Sequence, residues 1–288
     1  MRLVLVLVLG VLALPLSACG GGGSQHVSLA EAATKSAKAT SMKMNLAIAM
    51  STPQLPQPVT MTATGAEDNA NHRVQMNIDM SSLIEGLGAP NGVKASDFKG
   101  QEVGDLANGH LVIYMNLPFL SKSIPGGKPW IKIDLNAAGK SLGIDFSQFT
   151  SLSANPAQIV DWLRATSGSI TKEATETLDG VQTTHYHATI DLSRYPNLVP
   201  PDRKAAMKRA VDTLIKVTHV HTFPVDAWVG SDRLVRKMRI KITETIKGQT
   251  FTNDMTMRFH DFGAPVNISL PPADQTVDVS KIASQSKP

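Results

Sequence analysis

A single cysteine among 288 residues excludes intramolecular disulfides and cysteine-rich metal sites. Aromatic residues supply only 5% of the chain, so an apolar interior has to be built from aliphatic side chains and the 12 methionines. The net charge is +4, yet no long lysine or arginine run accompanies it. The electrostatic footprint of a nucleic-acid binder is therefore missing. Glycine-rich phosphate loops of the usual spacings are absent. Carboxylates are scattered, and no pair stands out for acid/base work. These absences nominate no catalytic residue and no cofactor. What is present is 42% hydrophobic against 18% charged residues, enough apolar surface for a sizeable core.

The first segment sets the compartment. Met1-Arg2 is a short positive start, Leu3 to Leu14 is almost unbroken Leu, Val and Ala, and Pro15-Leu16-Ser17-Ala18-Cys19 follows. This is the charge, apolar run and small-residue cleavage site of a secretory signal. The run is shorter than the about 20 residues that a spanning helix needs. Leu16-Ser17-Ala18-Cys19 resembles the bacterial lipobox. The resemblance implies cleavage before Cys19 and a diacylglyceryl thioether on it, with palmitate-type acylation. The alternative is an ordinary signal with an incidental cysteine. The expected organisation is a signal peptide over 1–18, lipidated Cys19 and a flexible tether over 19–27, and one domain over 28–288. Two or more acyl chains anchor stably where one does not, which places the domain on the outer face of the cell membrane.

Ser28 to Ala39 reads as a helix with Ser28 as its cap. Period-2 alternation then marks strands, with Met42, Met44, Leu46, Ile48 and Met50 on one face. Val59, Met61 and Ala63 follow, then Val74, Met76, Ile78 and Met80. Residues 81–109 read as irregular with a short helix, before strands at Leu111–Leu117 and Ile131–Leu135. Asn155 caps a helix over Pro156 to Ala165. Asp179-Gly180 is a hairpin turn. Asp202 to Val217 is a helix with Ala206, Ala210, Val211, Leu214 and Ile215 on one stripe.

The C-terminal strands allow a register argument. A four-residue loop over Gly230–Arg233 pairs Phe223 with Ile240, Val225 with Met238, and Asp226 with Lys237. A two-residue loop at Lys247-Gly248 pairs Ile240 with Met255, Met238 with Met257, Lys241 with Asp254, and Arg239 with Thr256. One face is then apolar and the other charged, and a one-residue slip would mix them. The resulting fold class is α+β, with a large antiparallel sheet that has one wet face. Ten of the twelve methionines lie on the apolar strand faces. Unbranched thioethers suit a surface that adapts to varied apolar partners. The candidate ligand-binding residues are Met76, Ile78, Met115, Met238, Ile240, Met255 and Met257. An ordinary packed core is the alternative use of the same face.

Three segments carry a wider resemblance: Thr222-Phe223-Pro224-Val225-Asp226-Ala227-Trp228-Val229, Leu234-Val235-Arg236-Lys237, and Asp261-Phe262-Gly263-Ala264-Pro265-Val266. With the lipobox and the strand order, they are similar to the LppX/LprA/LprF/LprG lipoproteins of mycobacteria and their actinobacterial relatives. The resemblance implies a LolA-like half-barrel, a curved antiparallel sheet wrapped over a few helices with an apolar cavity. It also implies a non-enzymatic protein that binds or carries acylated lipid or glycolipid in the cell envelope, with an exporter or acceptor protein as a further partner. The competing class is a structural, interaction or sensor module without a ligand cavity.

Histidine supplies the sharpest other signal. His185 and His187 share a strand face, and His219 and His221 repeat the spacing. Four imidazoles suit zinc or copper. The Asp179-Gly180 hairpin puts Lys172 opposite His187, an unfavourable neighbour for a cation, so no metal is expected. Lys35, Lys38 and Lys43 read as a solvated face, or as contacts to anionic headgroups. Trp130, Trp162 and Trp228 read as packing or rim residues.

Overall fold

The computed structural model describes residues 22–55, 57–82, 84, 94–106, 111–121, 127–135, 137, 162–218, 220–246 and 249–279. The sheet comprises β1 (Ser41–Ser51), β2 (Val59–Asp68), β3 (Arg73–Asp79), β4 (Lys99–Asp105), β5 (Val112–Asn116), β6 (Trp130–Asp134), β7 (Thr166–Leu178), β8 (Val181–Asp191), β9 (Thr222–Gly230), β10 (Val235–Ile246), β11 (Gln249–His260) and β12 (Thr276–Asp278). Among the described residues the two longer helices are α1 (Gly22–Ala37) and α2 (Pro201–Thr218). The spatial order is β12-β6-β5-β4-β3-β2-β1-β11-β10-β9-β8-β7. Two antiparallel meanders, β1–β6 and β7–β11, are joined where β1 pairs with β11. Only the short β12 is parallel to its neighbour β6. The sheet stays open, with β7 and β12 at its edges. This is the expected α+β class: a large, curved, unclosed antiparallel sheet with few helices.

Alternation explains most strands. In β1, Met42 and Met44 are buried while Lys43 and Asn45 are exposed. On β2, Thr60, Thr62 and Thr64 face solvent opposite buried Val59 and Ala63. The Asp179-Gly180 turn forms as expected, with φ of 50° and 79° at its two residues. Positive φ at both centres is what a two-residue hairpin loop requires.

Four local expectations change. First, α1 begins at Gly22, six residues ahead of the predicted cap at Ser28 and inside the stretch read as tether. Second, 99–105 is strand β4, in a segment expected to be irregular. Its inward positions are Gly100, Glu102 and Gly104, so no apolar alternation announces it. Third, the β9–β10 loop is tighter than expected. Arg233 sits at φ 60° and donates its backbone N–H to the Gly230 carbonyl at 2.8 Å, and a bulge follows between Val235 and Lys237. Val225 therefore faces Ile240, Ala227 faces Met238, and Asp226 faces Arg239 rather than Lys237. A shift of two keeps each face intact, which is why the apolar pattern could not detect it. The β10–β11 register is the predicted one. Fourth, an irregularity between Lys172 and Thr175 in β7 sets Thr171, not Lys172, opposite His187. The predicted helix at 156–165 falls mostly outside the described residues, and its last turn, Trp162–Ala165, is 3-10.

The core lies on one face of the sheet. Leu29, Ala32 and Ala33 of α1 and Met207, Ala210 and Val211 of α2 cluster with Ile190, Phe223, Val225, Met238, Ile240, Met257 and Phe259. The side chain of Leu214, predicted on the α2 stripe, lies outside the described ones. Ser36 Oγ accepts the Val235 backbone N–H at 2.9 Å, and Lys35 Nζ donates to the Asp232 carbonyl at 2.8 Å. These bonds fix α1 against the β9–β10 hairpin. Beyond β11 the chain forms a strap: Gly263 bonds Ser41, Arg73 donates to the Ile268 carbonyl at 3.1 Å, and the strap ends in β12.

Candidate functional site

Register decides which side chains share the inner face. One row across the sheet reads Phe259, Met44, Gly65, Met76, Glu102, Met115, Ile131 and Val277. The next reads Ala227, Met238, Met257, Leu46, Ala63, Ile78 and Gly100. A third reads Val225, Ile240, Met255, Ile48 and Met61. All seven candidate ligand-binding residues thus occupy one face of one sheet.

Their surroundings differ along it. Met238 is fully buried, and Ile240 and Met257 are each 3% exposed, inside the cluster that holds α1 and α2. Met255 and Met76 are half-buried and pack against that cluster. Ile78 and Met115 are half-buried and stand outside it. The face is therefore helix-covered on β8–β11, whereas on β2–β6 half-buried Met61, Met76, Ile78 and Met115 stand beside enclosed Val59, Ala63 and Ile131, so that this half is less enclosed in patches. Met50, 39% exposed, ends the face at the β1 terminus.

Sequence reasoning missed Glu102. It stands in the first row between Met76 and Met115. Burial pushes its carboxyl pKa up from the usual range. The only available signal was a Gly-x-Glu-x-Gly alternation, which does not read as a buried strand face. A further spacing also escaped: Gly139, Ser141 and Gly143 match Gly-x-Ser-x-Gly, the spacing of a hydrolase nucleophile elbow. These residues lie outside the described ones. The spacing alone assigns no nucleophile, because the chemistry also needs a histidine and a carboxylate oriented on the serine.

The outer face is polar and ion-paired. Arg239 binds both oxygens of Asp254, whose carboxyl it holds below the usual range. Lys99 and Ser81 hold Asp79 down to about 2. Trp228 is only 6% exposed although it lies on this face. The His185 ring stacks on it at 4.2 Å, the Lys237 ammonium sits 3.8 Å from its ring centroid, and its Nε1–H donates to Glu176. Trp162 packs edge-on against Phe223 at 5.7 Å. Lys43 pairs with Asp261 at 3.0 Å.

His185 Nε2 and His187 Nδ1 both lie 3.0 Å from Asp226 Oδ1. His221 is exposed, and His219 lies outside the described residues. Among the described residues no three His, Cys, Asp or Glu side chains are grouped to hold a metal. Both imidazoles converge on one carboxylate oxygen rather than on a shared empty point. Zinc titration of tag-free protein is therefore expected to show only weak, non-stoichiometric binding. Sub-micromolar, stoichiometric binding abolished by His185→Ala would reverse that expectation.

The fold and its inner face define a class: an open-sheet α+β protein with one broad apolar, methionine-rich surface. Comparison with known proteins gives the following particulars. No family model matches the chain. It is 28% identical over 212 residues to an uncharacterised 31.2 kDa protein of Streptomyces griseus from the rplA-rplJ intergenic region, covering 72% of this chain and 63% of that one. The chain thus spans under two thirds of that relative's length. Among solved structures it is similar to the lipoprotein LppX of Mycobacterium tuberculosis (TM-score 0.44, 12% identity, 86% of this chain and 99% of that one). It is similar to LprF of Mycobacterium bovis (TM-score 0.40, 13% identity, 86% and 97%). A LolA superfamily protein of Nitrosomonas europaea also matches (TM-score 0.28, 11% identity, 82% and 93%). These likenesses concern the fold alone. Among the described residues no helix is long and apolar enough to cross a membrane.

Proposed function

We propose that the chain is a membrane-anchored lipoprotein that binds acylated lipid or glycolipid on the inner face of its sheet and hands it on within the cell envelope. The observation that carries this reading is the division of the apolar face. One half is packed under α1 and α2, and Met61, Met76, Ile78 and Met115 on the other are only half-buried while sharing the same face. Flexible, polarizable thioethers on an open sheet can follow the shape of an acyl chain. Each CH₂ removed from water contributes about 0.8 kcal/mol. Transfer from a bilayer is nearly neutral by the same reasoning, so direction comes from a delivery partner or from consumption of the lipid. No chemistry on the lipid is needed, and the protein acts as a carrier rather than an enzyme.

The test is mass spectrometry of apolar extracts from protein purified out of its native host, beside uptake of a fluorescent acyl probe by the purified chain. A stoichiometric acylated lipid in the extract is the expected result. An empty extract together with no probe uptake would overturn the carrier reading in favour of a structural or sensor module.

A further inference from the structure

Glu102 is the one acidic side chain in its row of the inner face, and its neighbours are apolar or lack a side chain. Across the strands stand Met76 and Met115, and along β4 the same-face neighbours are Gly100 and Gly104. Those two positions are closely overlain. A β-carbon at residue 100 would come within 2.8 Å of Leu117 Cδ2 and within 2.0 Å of the Asn116 carbonyl. One at residue 104 would come within 2.8 Å of Val74 Cγ1. Glycine therefore lets Leu117 and Val74 lie over β4 at the two same-face positions that flank Glu102. Glu102 is half-buried, and a carboxyl placed for stability in such largely apolar surroundings is normally paired, because a polar group withdrawn from water costs free energy without a partner. Glu102 makes no hydrogen bond or ion pair with any described residue.

We propose that Glu102 is a binding residue for the polar group of the ligand: its carboxyl group holds a free hydroxyl of a neutral acylated lipid whose chains lie along Met76, Ile78 and Met115. This rests on the lipid-binding reading above and narrows the ligand class. An anionic phosphate headgroup would be repelled by the ionised form and poorly matched by the neutral one. Desolvation favours the neutral carboxyl, which both donates and accepts and so complements a hydroxyl. Acylglycerols and acylated sugars with an unesterified hydroxyl have this chemistry.

Calorimetric titration with dioctanoylglycerol and with its acetyl ester, in which the hydroxyl is blocked, tests the assignment. Wild-type protein is expected to prefer the free hydroxyl about ten-fold, the scale of one buried hydrogen bond. Glu102→Leu should erase that preference while still binding the acetyl ester, with an unchanged or raised melting temperature. Glu102→Gln, which still donates and accepts, should keep most of it. A preference that survives in Glu102→Leu, or none in the wild type, overturns the assignment and leaves lipid binding intact. Binding of neither lipid removes the carrier reading itself and this role with it. A Glu102→Leu protein that fails to fold while Glu102→Gln folds without any preference assigns the carboxyl to structure and overturns the proposal.

Discussion

Met238→Trp is expected to destabilise the protein by about 1–3 kcal/mol, the usual cost of overpacking a filled core, whereas Met115→Trp should leave the melting temperature nearly unchanged and reduce uptake of a fluorescent acyl probe. Both methionines sit on the same face of the same sheet, so the contrast isolates what covers them. Met238 is fully buried, flanked in register by Ala227 and Met257, in the cluster closed by α1 and α2. An indole there has to displace packed side chains. Met115 is half-buried and outside that cluster. An indole there occupies room that an acyl chain would use. Thermal melts and probe binding on both variants decide the matter. Equal destabilisation by the two, with probe uptake unaffected in Met115→Trp, would mean that the face is packed throughout and that the protein is a structural module.

Cys19→Ala should block lipidation and leave the protein either as a soluble chain, lost from the membrane fraction, or as an uncleaved precursor that keeps its apolar Leu3–Leu14 segment. Cys19 lies outside the described residues, and the expectation stands on sequence: the chain's only cysteine follows Leu16-Ser17-Ala18 at the end of an apolar run. A stable anchor needs more than one acyl chain, so loss of the thioether removes most of the membrane affinity at once. Membrane fractionation reads the location, and intact mass of the wild type reads the modification. Wild-type protein without an acyl increment at Cys19 would refute the anchor.

Strands whose inward residues are all apolar were legible. β1, β3 and β5 announced themselves through alternation, and the β10–β11 hairpin could be registered residue by residue because both faces had to match at once. β4 was invisible because its inward residues are Gly100, Glu102 and Gly104, which carry no hydrophobic period. That blind spot coincides with the most informative polar residue of the face.

Alternation along each strand determined which residues share a face, because a pleated strand sends successive side chains to opposite sides whatever its neighbours are. Sequence therefore sufficed to put Met76, Met115, Met238 and Met257 together on one surface. It could not order the strands, since the β1–β11 pairing that joins the two meanders links residues about 200 positions apart and leaves no local trace. Nor could it see the tighter β9–β10 loop with its bulge after Val235, which together shift partners by two and keep the faces, or the irregularity between Lys172 and Thr175 in β7, which shifts partners by one. Above all, it could not divide the face. Met238 and Met115 have the same chemistry and the same kind of strand position. Only the folding of α1 and α2 over β8–β11 makes one of them core and leaves the other on the less enclosed half, because burial depends on what the rest of the chain brings to the surface.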